Sequence, residues 1–153
     1  MKIKSLLIVA AVSLLSACAA QGPTMTPLEI QSMQTRSFDS SYNVAFSSTM
    51  SVFQDLGYVV SSADKATGLI AAESATDSNL AAAFFGSSVT SQTKATAFIE
   101  KLKGKILVRL NFVQKVESSS NRGMQDRRDT PILDVTIYQN AFERIENAIF
   151  LRK

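Results

Sequence analysis

The chain has 153 residues, 16 of them basic and 13 acidic, with one cysteine and neither histidine nor tryptophan. That length fits one domain. The missing histidine excludes a Ser-His-Asp triad, the usual general base near neutral pH and the commonest metal ligand, and a net charge of +3 is a weak basis for nucleic-acid binding.

Lys2 and Lys4 precede an apolar run, residues 6–15, which small residues follow at Ser16 and Ala17. This is the order of a secretory signal, and the run is too short for a permanent membrane span. Leu15-Ser16-Ala17-Cys18 matches the bacterial lipobox pattern, so residues 1–17 read as a lipoprotein signal peptide and Cys18 as the lipidated residue. Two or three acyl chains on Cys18 would anchor the protein firmly. Ala19 in place of aspartate resembles outer-membrane sorting, which gives a lipid-anchored, periplasm-facing protein. The remaining 136 residues carry 14 basic and 13 acidic groups, a balance of +1, and no thiol is left for catalysis, a disulfide or a metal. Pro23, Pro27 and Gly22 among polar neighbours make residues 18–33 a lipidated N-terminus with a flexible tether. A single domain is expected over 34–153.

Gln34–Asp39 reads as a short strand, with Ser40 or Ser41 capping the next helix. Phe46, Met50 and Phe53, widened by Ala45, Val52 and Leu56, predict an amphipathic helix over 43–56 that stops at Gly57. Residues 58–62 and 69–73 predict a hairpin around Asp64-Lys65-Ala66-Thr67-Gly68. Asp64 and Glu73 read as turn and strand-edge residues, not as paired catalytic carboxylates. Asn79–Gly86 is strongly apolar and short; it is a buried helix, a loop, or an exposed tip through which Phe84 and Phe85 touch lipid or a partner.

Strand, turn and strand are expected over 93–117, with Lys103-Gly104 at the turn and Ile106, Val108, Leu110 and Phe112 on one face. Residues 117–129 read as an exposed polar loop, and Leu133, Val135 and Ile137 as a last strand. A helix then closes the chain over 140–152, striped by Phe142, Ile145 and Ile149. The fold expected is α+β: an antiparallel sheet of five or six strands, ordered β-α-β-β-β-β-β-α, with an N-terminal and a C-terminal helix packed on it. Two basic groups stand out, Lys101, Lys103, Lys105 and Arg109, then Arg122, Arg127 and Arg128. They read as solvated strand ends and loop, or as a patch facing phosphates or anionic headgroups.

Gln34-Thr35-Arg36-Ser37-Phe38-Asp39, Phe53-Gln54-Asp55-Leu56-Gly57-Tyr58, Thr67-Gly68-Leu69-Ile70-Ala71-Ala72 and the end from Ile137-Tyr138-Gln139 to Ile149-Phe150-Leu151 resemble a group of small uncharacterised proteobacterial outer-membrane lipoproteins. The likeness covers nearly all of 34–153. Those proteins look like single copies of the helix-grip domain found in the C subunit of the β-barrel assembly machinery. The resemblance implies a long helix packed across an antiparallel sheet and a role in protein–protein contact. Membership of that machinery does not carry over: one domain stands here where the subunit has two, and residues 19–33 are too short for its docking segment.

The function expected is therefore a non-enzymatic, membrane-anchored binding or accessory module of the cell envelope, joined to the membrane through lipid on Cys18 and to an envelope protein. A small-ligand or lipid carrier using a helix-grip cavity is the alternative. No catalytic, cofactor or metal site is expected.

Overall fold

The computed structural model describes residues 25–78, 87–120 and 125–153. Residues 1–17, read above as a signal, and Cys18, Phe84, Phe85 and Arg122 lie outside them. In chain order the elements are α1 (Pro27–Gln34), β1 (Thr35–Phe38), α2 (Tyr42–Asp55), β2 (Tyr58–Asp64), β3 (Leu69–Ser74), β4 (Asp77–Ser78), β5 (Ser87–Leu102), β6 (Lys105–Ser120), β7 (Gln125–Pro131) and α3 (Val135–Phe150). The α+β class is as expected, with seven strands among the described residues instead of about five or six. The sheet is antiparallel throughout, ordered β1-β6-β5-β3-β2, with β4 paired to β5 and β7 to β6.

Local chemistry explains the helix limits. Ser41 caps α2 by accepting from the Val44 amide at 3.3 Å, and Gly57 ends the turn beyond it at φ 84°, in the left-handed region. The expected stripe is the buried face: Ala45, Phe46, Val52 and Phe53 are buried, together with Ser48 and Thr49. Asp134 caps α3 through a 2.8 Å bond from the Thr136 amide, and Tyr138, Ala141, Phe142, Ile145 and Ile149 form its buried stripe.

Three expectations are corrected. The tether does not run to residue 33, because Pro27–Gln34 is helical. Thr26 and Glu29 form a capping box, the Thr26 amide donating to Glu29 Oε2 at 2.7 Å and the Glu29 amide to Thr26 Oγ1 at 3.3 Å. Pro27 signals a helix start here, since its missing N–H is one the first turn leaves unbonded anyway.

The polar stretch 117–129 is not a loop: β6 continues to Ser120, and β7 pairs with it from Val113↔Pro131 to Ser119↔Gln125. Its composition is that of a strand with no buried face. Residues 133–138 are not a strand: α3 starts at Val135, and Leu133, Val135 and Ile137 stay 37%, 43% and 40% exposed. Their alternation came from surface apolar residues, while the i, i+4, i+7 spacing of Tyr138, Phe142 and Ile145 decided the helix.

The core lies between one face of the sheet and the two long helices. Ile70 and Ala72 from β3, Ala95, Ala97 and Ile99 from β5, and Ile106, Val108, Leu110 and Phe112 from β6 all point into it, each 1% exposed or less. Phe53, Tyr58, Phe112 and Tyr138 pack as an aromatic chain with centroids 5.2–6.4 Å apart. Gly68, at φ 80°, accepts from the Ile99 amide at 2.9 Å. A Cβ there would collide with the Ile99 carbonyl.

Candidate functional site

The alternation that buries one side of the sheet turns the other side outward. Strand register puts Leu69, Phe98, Arg109 and Thr35 in one row across β3, β5, β6 and β1. Leu69 is 51% exposed and Phe98 39%. Leu69, Phe98 and Arg109 line, with Gln34, Thr96, Ala97 and Asn111, a shallow concavity of about 250 Å³. Arg109 is exposed at its edge and donates to Gln34 Oε1 at 3.3 Å. The surface thus offers an aromatic ring, an aliphatic side chain, a guanidinium and an amide side by side, a composition suited to contact with another molecule.

Gln34 is a buried polar residue that reaches this surface from the end of α1. Its Nε2 donates to Asn111 Oδ1 and to the Tyr138 hydroxyl, each at 3.4 Å. The Tyr138 hydroxyl also accepts from the Phe112 amide at 3.3 Å and donates to the Ile132 carbonyl at 3.0 Å. The reason lies in the sheet. Along one edge of β6, β1 pairs with residues 106–109 and β7 with 113–119. Gln34 and Tyr138 fill the break between them: the Tyr138 hydroxyl bonds the Phe112 amide and the Ile132 carbonyl, and Gln34 holds that hydroxyl and the Asn111 side chain. Sequence patterning missed both residues: Gln34 read as the start of a strand, and Tyr138 as part of another.

The two basic groups expected from the sequence do not merge. Arg109 lies on the outer face, and Lys101, Lys103 and Lys105 sit at the β5–β6 turn, all exposed. Arg127 and Arg128 are on β7, opposite Glu117 and Val116. Arg109 and Glu117 are eight residues apart on β6, about 26 Å by strand rise. Arg127 is held by Asp129 at 3.4 Å, which raises its pKa.

The other displaced titrations have local causes as well. The Thr67 hydroxyl and the Ala66 amide hold the Asp64 carboxyl below its ordinary range. Lys94, 2.9 Å away, does the same for Glu73. Burial raises the Tyr58 phenol. Asp64 closes its turn and Glu73 pairs across strands, in line with the reading of both as turn and strand-edge residues. Among the described residues no three His, Cys, Asp or Glu side chains gather as a metal site.

A carrier needs a cavity bounded by core side chains. One concavity among the described residues, of about 510 Å³, is lined by polar strand residues that include Ser88, Thr90, Glu117, Ser119 and Arg127. Among the described residues, no helix is long and apolar enough to cross a membrane. No protein-family model matches the chain, and no curated protein matches it.

Proposed function

We propose that the chain is a non-enzymatic binding or accessory module of the bacterial cell envelope, held on the periplasmic side of the outer membrane by lipid on Cys18, with the outer face of its sheet as the surface that meets a partner protein. The lipobox at 15–18 supports the anchor. The observation that carries the binding role is the row Leu69–Phe98–Arg109, which keeps an aromatic and an aliphatic side chain in solvent on the sheet face opposite the helices. A surface of this kind lowers its free energy when a partner covers it. The likeness of residues 34–153 to helix-grip lipoproteins agrees with a contact role.

Two experiments test the reading. A photo-crosslinking amino acid at Phe98, in cells carrying the lipidated protein, is expected to give a discrete adduct with one envelope protein. Absence of any adduct, with normal expression, would overturn the contact role. Metabolic palmitate labelling is expected for the natural chain and absent for Cys18→Ser; labelling that persists in the variant would remove the anchor. A lipid retained in native mass spectrometry of the detergent-exchanged protein would revive the carrier alternative.

A further inference from the structure

β5 and β6 stay paired to their last residues, Leu102↔Lys105, and only Lys103 and Gly104 turn the chain. Both have positive φ, 51° and 82°, as the tightest two-residue hairpins require. The tip is therefore short and stiff, and it holds Leu102 46% exposed. Lys105 stands opposite that leucine in the ladder, Lys103 follows it in the turn and Lys101 precedes it on the other face of the sheet, all exposed. The ion pairs among the described residues join Arg36–Glu146, Lys94–Glu73, Lys115–Glu117 and Arg127–Asp129, and involve none of these three lysines. Two exposed carboxylates share this end: Glu100, two rows back on the same face as Leu102 and opposite Leu107, and Asp39, which follows Phe38, the partner of Ile106.

Lys65 stands in the β2–β3 turn at the same end, where the Ile99–Gly68 bond ties that turn to β5. Its neighbour Asp64 is engaged by Ala66 and Thr67. At the opposite end of the sheet, on β7, Asp126, Arg127, Arg128 and Asp129 mix both signs over four residues.

We propose that the β5–β6 tip, Lys101–Lys105, is a second membrane contact, a wedge that sets Leu102 into an anionic phospholipid surface while the lysines meet the headgroup phosphates. The inference rests on the reading of Cys18 as the lipid anchor. Lysine stems are apolar and their ammonium groups reach outward, so the three flank an inserted leucine without burying charge. Attraction to anionic lipid acts within about a Debye length, so a tip that touches the surface feels it and a distant one does not.

An anchor at Cys18 lets the tip come that close. Pro27 follows Cys18 by nine residues, a span of at most about 32 Å. The end of α1 bonds to Asn111, which lies seven residues from Gly104, about 23 Å along the strand. A domain tethered on that scale reaches the bilayer with its tip. The rigidity of the turn means that little conformational freedom is lost on contact.

The chain has no tryptophan, so Leu102→Trp places a single tryptophan, excited selectively over the tyrosines, at the wedge. The lipidated protein is reconstituted in phosphatidylethanolamine–phosphatidylglycerol vesicles with brominated acyl chains. A blue shift and quenching are expected. Adding Lys103→Glu and Lys105→Glu lowers the ratio of docked to undocked protein by a factor on the order of tenfold or more. Val59→Trp is the comparison: Val59 is 72% exposed, in register through Glu73 with Lys94, eight residues from Leu102. It is expected to stay unquenched.

Slowed hydrogen exchange at the tip amides of the unsubstituted protein, in anionic vesicles only, reports the same contact without a substitution. An unquenched Leu102→Trp in protein that floats with the vesicles overturns the wedge and leaves the anchor standing. Protein that does not float overturns both. Equal quenching at Val59→Trp overturns the orientation, and indifference to replacing phosphatidylglycerol with phosphatidylcholine overturns the anionic lipid.

Discussion

The two halves of the β5–β6 ribbon are built on one continuous ladder and hold together for different reasons. Sixteen residues in each strand span about 50 Å, whereas α2 and α3 are only about 21 and 24 Å long. From Ala95↔Phe112 to Leu102↔Lys105, alternate side chains enter the core and meet the helices. From Ser88 to Lys94, from Val113 to Ser120 and along β7, no residue is buried. Here the backbone ladder is decorated by hydroxyls and charges: Ser88 and Ser119 sit 2.7 Å apart across the strands, and Lys115 lies 3.9 Å from Glu117 along one of them. Backbone pairing is thus sufficient to make strand, and burial decides how firmly it is held.

Substitution in the two halves should separate those contributions most sharply. Phe112→Ala removes a ring that touches Phe53, Tyr58 and Tyr138, and is expected to cost about 3–5 kcal/mol. Val116→Ala, four residues further along the same strand and only half-buried, is expected to cost less than about 1 kcal/mol. Denaturant unfolding of both proteins checks the contrast, and equal losses would break it. Hydrogen exchange sharpens it further: amides at 88–94 should exchange faster than those at 95–101, although both runs are paired to β6.

The covered half is the legible half. Ile106, Val108, Leu110 and Phe112 alternate because one face is buried, so the strand and its facing are readable from the residues alone. The uncovered half has no apolar period to read, and serines, arginines and aspartates there suggest a loop over 117–129. The same rule applied at 133–138 produces a false strand, because surface apolar residues mimic alternation. Of the candidate site, Arg109 is visible as a cation. Leu69 and Phe98 do not stand out, because their outward facing depends on register between strands distant in sequence. Gln34 and Tyr138 are invisible as a pair: their role arises from a break between β1 and β7 that only the folded sheet creates.

Gly68 closes the covered half at its turn end. Gly68→Ala would place a side chain at φ 80° and against the Ile99 carbonyl. The conformation alone costs about 1–3 kcal/mol, and the collision with backbone adds to it. Gly104→Ala tests the reasoning, since its φ is 82° but nothing lies near its missing Cβ. Its loss should be the smaller, measured as the difference in melting temperature. An equal loss would mean that the Ile99 contact contributes nothing.

Tyr138 marks the joint between the halves. Tyr138→Phe keeps the ring packing and removes the hydroxyl that serves Gln34, Phe112 and Ile132. Leaving buried groups without partners costs about 1–3 kcal/mol. Faster exchange of the Phe112 amide is expected, with the amides of β1 little changed. If the Phe112 amide keeps its protection, Tyr138 is packing filler and the joint is held by Gln34 alone.

The smallest effect belongs to α1, which like the uncovered strands depends on surface hydrogen bonds. Its Glu29 carboxylate is held below the ordinary range, chiefly by the Thr26 amide and then by the Thr26 hydroxyl. A lowered folded-state pKa means that the unfolded state binds the proton more readily as pH falls. The capping contribution is therefore fully present above the ordinary glutamate value of about 4.3. It is lost as pH falls through the lowered folded value. Amide shifts of Thr26 and Glu29, followed by NMR between neutral and acidic pH, should titrate with a midpoint below that of a free glutamate. Glu29→Gln should abolish the titration while leaving the chemical shifts of the β5–β6 core unmoved. A midpoint at or above the ordinary value would show that the box does not favour the charged carboxylate and that α1 is held by Gln34 at its far end.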